Sequence, residues 1–410
     1  MIALYGLLSG LLALVCAPFA LVAAAVSPRI RRGLGERLRP LERGPGPAVW
    51  VHAASVGEAE AAVPLLEALL EAEIPVLATT LTTSGRDRLR TRLPALRVRL
   101  APLDLPGLAH ASIRRARVRV LALIETEIWP NSIAACSASG GRVVILGGRL
   151  SDRSFPRYRR ARLFLRALLH RVSRVGARSG EDRDRFLALG LPSDRASLLG
   201  DLKLDRAPAP PPGAELRAAV GPGPLLLAAS THPGEEEALL AVWRELRAGA
   251  APGLRLLLAP RHPERAGEVA EAVRRSGARV GLRSRGASDC EVVVLDGLGE
   301  LASLYELAEL VFSGGTLAPV GGHNLIEPVQ AGRVVVHGPH TENQRAQLSL
   351  LAPLGVLHPV DDAKGLAAKL GALWRDPQRN APAVSARDAL EAHRGATARA
   401  LEIVLEALRA

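Results

Sequence analysis

Short apolar runs alternate with helical stretches from residue 48 onward, and no other feature restricts the fold as much. The runs AVWVHAAS, PVLATTL, RVRLAPLD, VLALIETEIW and RVVILGG each end near small or polar residues. Strands joined by helices of this length argue βαβ units and a parallel sheet. Near-continuous hydrophobicity within each run fits strands covered on both faces. APAPPPG (residues 207–213) has no helix or strand signal and reads as a stiff linker. Beyond it the theme restarts with PLLLAAS, LRLLLAPR, EVVVLDG, ELVFSGG and RVVVHGP. The expected fold is α/β, two doubly wound Rossmann-like domains whose strand carboxyl ends face a ligand-binding cleft. The expected boundaries are an N-terminal domain at 28–206, a linker at 207–214 and a C-terminal domain at 215–385. A last helical stretch, 386–410, is expected to fold back over the first domain.

Residues 2–26 carry no charge and are long enough, as a helix, to cross a hydrocarbon core of about 30 Å. No Lys or Arg precedes them, whereas Arg29, Arg31, Arg32, Arg37 and Arg39 follow. That is the reverse of a secretory signal, and the positive-inside rule leaves the body of the protein in the cytoplasm. Residues 1–27 therefore read as an anchor, with Pro18 able to kink it. GLLSG (Gly6 to Gly10) matches the GxxxG packing pattern, which a Gly/Leu-rich run also produces by chance. RYRRARLFLRALLHR (157–171) reads as a basic amphipathic helix suited to solvent or to a membrane surface.

The formal charge of +12 favours anionic partners. Of 53 basic residues only Lys203, Lys364 and Lys369 are lysines, so a lysine here stands out. Basic residues are not interleaved with aromatics, which argues against nucleic acid. Cys16, Cys136 and Cys290 form no disulfide framework, as suits a reducing compartment. His337 and His340 lack metal-ligand spacing, so neither metal nor cofactor is expected.

In the first domain, AVWVHAAS leads into Ser55, Gly57 and Glu58, which places Glu58 in the first turn of a helix at a strand's carboxyl end. There a glutamate either complements the helix dipole or faces the cleft as a base, ionised at neutral pH. Glu125 and Glu127 of ETEIWPN are two apart and are expected on one strand face, stopped by Pro130. TLTTSGRDR (80–88) can hold an anion at a helix start or be capped by Thr83 or Ser84. Arg149 and Lys203 lie near strand ends, able to meet phosphate or carboxylate, or to be solvated.

In the second domain, Ser230, Thr231 and the early helix amides of ASTHPGEEE form a candidate phosphate cradle, with Arg261 and His262 at the next strand's end. SGGTLAPVGGHNLIEPVQAG (313–332) is the strongest local signal. Gly314, Gly315 and Gly322 let backbone approach a ligand closely. A helix starting near Asn324 is expected to point its amides at that ligand, and Glu327 can chelate ribose hydroxyls.

Taken in order, SVGE, TLTTSGRDR, ETEIWPN, RLSDRS, GDLKLD, STHPGEE, PRHPER and GGHNLIEP resemble the bacterial 3-deoxy-D-manno-octulosonic acid (Kdo) transferases, from residue 1 to about residue 345. The resemblance implies a GT-B fold and an inverting, metal-independent glycosyltransferase at the cytoplasmic face of the inner membrane. It implies CMP-Kdo as donor and a tetra-acylated disaccharide lipid A precursor (lipid IVA) as acceptor, in lipopolysaccharide biosynthesis. By the same resemblance Glu58 is the general base and Glu127 a further active-site carboxylate. Ser230, Thr231, Arg261 and His262 hold the CMP phosphate, and Asn324 and Glu327 the nucleotide side. The chain departs from the family at Gly147-Gly148, where Asn-Ala is usual, at Gln344 after Asn343, where Phe is usual, and at Asp201, where Asn is usual. Two rival readings are another GT-B nucleotide-sugar enzyme, hexosaminyl transferase or epimerase, and a membrane-tethered nucleotide-sugar binding protein.

Overall fold

The computed structural model describes residues 1–410 except 27, 45, 47, 153, 206–208 and 287–288, and at 20, 21, 24 and 28–32 the backbone alone. The side chains of Arg29, Arg31 and Arg32 and the start of the expected linker thus lie outside the described residues. The chain forms two compact units, Met1–Arg206 with His393–Ala410, and Ala207–Ala392.

The first unit holds seven parallel strands: β1 (Ala48–His52), β2 (Val76–Thr80), β3 (Arg97–Leu100), β4 (Val118–Ile124), β5 (Arg142–Gly148), β6 (Arg174–Ala177) and β7 (Ala196–Leu198). Their order is β3-β2-β1-β4-β5-β6-β7. The helices used below are α1 (Ile2–Val26), α2 (Pro28–Arg37), α3 (Val56–Glu71), α4 (Thr83–Arg92), α5 (Pro106–Ala116) and α6 (Pro130–Ala138). Successive strand residues point to opposite faces, so one apolar run feeds two cores. Val49, Val51, Val120 and Ala122 bury against Leu65, Leu66 and Leu69 of α3. Trp50, Leu121 and Leu123 bury on the other face with Ile113 of α5 and Ile133 of α6. Winding outward in both directions from the centre makes β1 and β4 neighbours, and a doubly wound sheet binds ligands beyond the carboxyl ends of such a pair.

Helix α1 is long and apolar enough to cross a membrane, and Leu4, Leu7, Leu8, Leu11, Leu12 and Leu14 are all exposed. It runs through Pro18. Its two glycines differ: a Cβ on Gly6 would sit 3.2 Å from both Asn131 Oδ1 and Pro106 Cγ, whereas Gly10 has nothing within 4 Å. Ser9, one turn on, accepts a 3.2 Å hydrogen bond from Asn131 Nδ2. GLLSG is therefore used within the chain, letting α1 lie close on α5 and α6. The basic stretch expected as one helix is two, Phe155–Arg160 and Arg162–Leu169, with Leu165, Leu168 and Leu169 buried and Leu163 exposed.

The second unit repeats the architecture with β8 (Leu225–Thr231), β9 (Arg255–Pro260), β10 (Val280–Leu282), β11 (Val292–Val294), β12 (Leu310–Ser313), β13 (Val335–His337) and β14 (Leu357–Pro359). Their order is β10-β11-β9-β8-β12-β13-β14, all parallel, so β8 and β12 are the central neighbours. Leu225, Leu227, Leu257, Val293 and Val311 fill one core around buried Tyr305.

The expected C-terminal stretch is two helices in two units. Ala381–Glu391 stays in the second, while Ala396–Arg409 belongs to the first, burying Ala396, Ala400 and Val404 completely. The Asp205 carboxylate receives the Gly395 and Thr397 amides, the former at 2.8 Å, and caps this helix. Asp205→Ala should lower the unfolding free energy by about 1–2 kcal/mol. Hydrogen exchange should speed up selectively in 396–409; uniform exchange would argue against the cap.

Candidate functional site

In each unit the sequence-expected residues lie at or beyond strand carboxyl ends, after β1, β2, β4, β5 and β7 in the first and at β8, β9, β12 and β13 in the second. In the first unit, Ser55 ends the extended chain after β1 and caps α3: its hydroxyl accepts the Glu58 amide at 3.3 Å. Glu58 answers through Oε2, which accepts the Ala54 amide at 2.5 Å and the Ser55 amide at 3.0 Å. Helix capping and a place beyond the carboxyl end of β1 thus coincide in one carboxylate. Oε1 accepts no hydrogen bond among the described residues. Gly57 is exposed beside it.

Glu58 was expected to be ionised at neutral pH, and the structure corrects this. Burial, then the charge of Glu125, push its pKa up to about 7, outweighing the Ser55 and Ala54 amides. The helix dipole does not win because desolvation and a neighbouring carboxylate both disfavour the anion.

Glu125 and Glu127 do not share a strand face, because β4 stops at Ile124 and Glu125 takes a left-handed backbone, φ 57°. The turn sends the two side chains to different partners. Glu125 Oε1 receives Lys203 Nζ at 2.8 Å. Burial would raise its pKa, but Lys203, Arg178 and Arg149 overcome it and hold the carboxyl below its ordinary value. Burial likewise lowers Lys203, and Glu125 and Asp201 more than restore it. Glu127 Oε2 receives Trp129 Nε1 at 2.9 Å, and burial keeps this carboxyl above its ordinary value. Thr126 locks the turn, donating to the Arg149 carbonyl and accepting the Arg149 amide at 2.7 Å. The Arg149 guanidinium is pushed down by burial and then by Arg178. Thr83 opens α4, but the cap is Thr82, whose hydroxyl accepts the Gly85 amide at 3.1 Å.

The second unit departs further from expectation. Gly314 and Gly315 do not offer free amides: Gly314 donates to the Ala229 carbonyl at 2.7 Å, and the Gly315 amide goes to Glu235. Its carboxylate, 1% exposed, accepts the amides of His232, Gly315, Thr316, Leu317 and Ala318 at 2.8–3.2 Å. A side chain of the protein fills the anion nest that the glycine loop makes. Gly314 is required by packing, since a Cβ there would lie 2.4 Å from the Ser230 carbonyl. Gly315 (φ 68°) and Gly322 (φ 77°) are required by backbone shape. A helix does start near Asn324, Ile326–Gln330, but its leading amides are taken by Gln347 Oε1 and Asn324 Oδ1 rather than left for a ligand. Thr231 is fully buried and donates its hydroxyl to Glu236 at 2.9 Å, so it does not face a ligand. Asn343 is engaged locally, donating to the Val320 carbonyl at 2.9 Å.

At these strand ends also stand Ser230, held at φ 55°, exposed Arg261 and His262, and half-buried Asn324 and Glu327. Two histidines that residue patterns did not single out join them. His232 and His323 stack at 4° with Nε2···Nε2 at 2.8 Å, and His262 stands edge-on to His232. A contact that short needs one ring N–H donating to the other ring's lone pair, so the pair cannot be doubly protonated. Burial, then Arg261, bring His323 down to about 4. The group can meet an anion with one guanidinium and ring N–H donors. Both histidines lay inside quoted motifs, STHPGEE and GGHNLIEP, where their pairing 91 residues apart had no local signal.

Two Rossmann-like units, each with polar side chains beyond its central strand pair, define a GT-B glycosyltransferase fold. A glycosyltransferase from Rickettsia africae shares it with a TM-score of 0.60 at 12% identity, over 89% of this chain and 99% of that one. MurG from Acinetobacter baumannii does so with a TM-score of 0.53 at 14% identity, over 88% and 100%. Residues 30–206 match the family described as 3-Deoxy-D-manno-octulosonic-acid transferase (kdotransferase). The chain is 35% identical over 383 residues to the 3-deoxy-D-manno-octulosonic acid transferase of Bordetella pertussis, covering 88% of each. It is 31% identical over 416 aligned positions to that of Haemophilus influenzae, covering 96% of each. The chain belongs to the 3-deoxy-D-manno-octulosonic acid transferase family.

The raised Glu58 pKa makes a stability prediction. Between the unfolded value, 4.5, and about 7 the folded protein binds the extra proton. The stabilisation is therefore complete below 4.5 and is lost as pH rises through about 7. Glu58→Gln, which keeps an oxygen for the two amides, should be more stable than wild type by about 1–2 kcal/mol at pH 8 and equal to it at pH 4. Urea unfolding at both pH values reads this; destabilisation at pH 8 would contradict it.

Proposed function

We propose that this enzyme moves Kdo from CMP-Kdo to a hydroxyl of the lipid A precursor disaccharide, with inversion and at the cytoplasmic face of the inner membrane. Family membership supports the sugar and the reaction class. The observation that carries the mechanism is the Glu58 carboxylate, poised near pH 7 with Oε1 uncommitted. In the step proposed, the acceptor oxygen bonds to the anomeric carbon as the bond to the CMP phosphate breaks. The acceptor proton passes to Glu58, and CMP leaves with the electron pair. A base works best with a pKa near the operating pH. Glu127 serves as the second carboxylate of the site, and Arg149 and Lys203 balance the charge of Glu125 beside it.

For the donor we propose the second unit. Arg261 and His262, with Ser230, meet the CMP phosphate; Asn324 and Glu327 meet the nucleoside. Helix α1, with its exposed leucines, is proposed as the anchor that keeps the enzyme beside a lipid acceptor.

Incubation with CMP-Kdo and lipid IVA, read by mass spectrometry, should show the acceptor gaining Kdo. Glu58→Gln should lower turnover by about 10²–10⁴ with CMP affinity unchanged. More than about a tenth of wild-type turnover would move the base elsewhere. Glu327→Ala should weaken CMP binding by roughly 1–3 kcal/mol in calorimetry, and unchanged affinity would remove the nucleoside role.

A further inference from the structure

Behind Glu127 lies a buried chain of polar side chains that the transfer reaction as proposed does not use. His52 ends β1 and is 1% exposed. Its Nδ1 lies 2.8 Å from Thr79 Oγ1 on β2, and the same oxygen receives Trp50 Nε1 at 2.8 Å. Among the described residues its Nε2 is buried without a hydrogen-bond partner, and it lies 3.9 Å from Glu127 Oε2. Trp129, which donates to that same Oε2, packs edge-on against the imidazole with ring centroids 4.8 Å apart.

The buried donors around the ring argue for one tautomer of the imidazole, against an opposing hydrogen bond with the Thr79 backbone. An indole N–H can only donate, so Thr79 Oγ1 accepts from Trp50. Thr79 is fully buried, and its hydroxyl proton has the His52 Nδ1 lone pair as its acceptor among the described residues. With Nδ1 accepting, a neutral ring carries its proton on Nε2, the atom facing Glu127. Burial keeps the ring neutral, with its pKa lowered to about 3.

We infer that His52 is a positioning residue for Glu127: the Trp50–Thr79–His52 chain presents one fixed N–H to Oε2. A carboxylate movement of about 1 Å turns the 3.9 Å contact into a hydrogen bond. Trp129 and His52 then hold Oε2 from two sides, leaving Oε1 in a fixed direction for substrate. The inference rests on the reading of Glu127 as an active-site carboxylate.

The tests separate it from an ordinary buried histidine. Long-range ¹H–¹⁵N NMR of the full chain in detergent should show His52 as the Nε2–H tautomer; an Nδ1–H tautomer would overturn the inference whatever any variant does. His52→Leu removes the N–H and should lower kcat about ten- to a hundredfold with both KM values within about twofold. His52→Gln places a side-chain N–H near the former Nε2 and should recover most of the loss. In a Glu127→Gln background, His52→Leu should cost nothing further in kcat. If Glu127→Gln alone leaves kcat unchanged, the reading of Glu127 fails. If Glu127→Gln lowers kcat and His52→Leu does not, or the two losses multiply, the positioning role fails.

Discussion

The Lys203–Glu125 ion pair sets the electrostatics of the first unit's strand ends. Ions in such a setting must be paired to persist. Lys203 arrives from the short helical turn Leu202–Asp205 and keeps Glu125 ionised, 2.8 Å away. That fixed negative charge is the second cause, after burial, of the raised Glu58 pKa. A lysine far along the chain thereby tunes the proposed base through an intermediate carboxylate. Arg178 extends the set, 3.8 Å from Asp182 and 3.9 Å from Asp201, so cations and carboxylates alternate below the site. A lysine in a chain that otherwise uses arginine supplies a compact ammonium where a planar guanidinium needs more room.

The second unit solves the opposite problem. Its glycine loop aims a series of amide N–H groups at one point, which would attract any anion. Glu235 occupies that point, so the loop is rigid before any ligand arrives and its amides are spoken for. Under the proposed function, anion recognition falls to side chains at the strand ends, Arg261 and the three histidines His232, His262 and His323. Hydrogen bonding between His232 and His323 limits the positive charge they can add there, which leaves Arg261 as the permanent cation.

Much of this was legible in the sequence. Ten apolar runs gave ten of the strands, because central parallel strands are buried on both faces and so read as continuous hydrophobic stretches. The others, β6 (Arg174–Ala177), β7 (Ala196–Leu198), β10 (Val280–Leu282) and β14 (Leu357–Pro359), are short and mostly partly exposed, and their pattern was too brief to register. The place of Glu58 was legible because a position after a strand and in the first turn of a helix is local. The partition of Glu125 from Glu127 was not, since it depends on one left-handed residue. Glu235 was hidden by its setting: GEEE at a helix start looks like dipole complementation, and only the fold brings residues 315–318 to it. His52 looked like one more member of a buried strand; its importance lies in Thr79 and Glu127, both distant in sequence. Local chemistry was readable, while partners supplied by topology were not.

The central claim is that the Lys203–Glu125 pair holds Glu58 near neutrality so that it can accept the acceptor's proton. The pH dependence of the single-turnover rate with saturating donor and acceptor tests this most directly. The account predicts a rate that rises with pH to a plateau, with a midpoint near the Glu58 pKa of about 7. Lys203→Met, which lets the buried Glu125 take a proton and lose its charge, should move that midpoint to lower pH. A midpoint in the ordinary carboxylate range in the wild type, or one that Lys203→Met leaves in place, would contradict it.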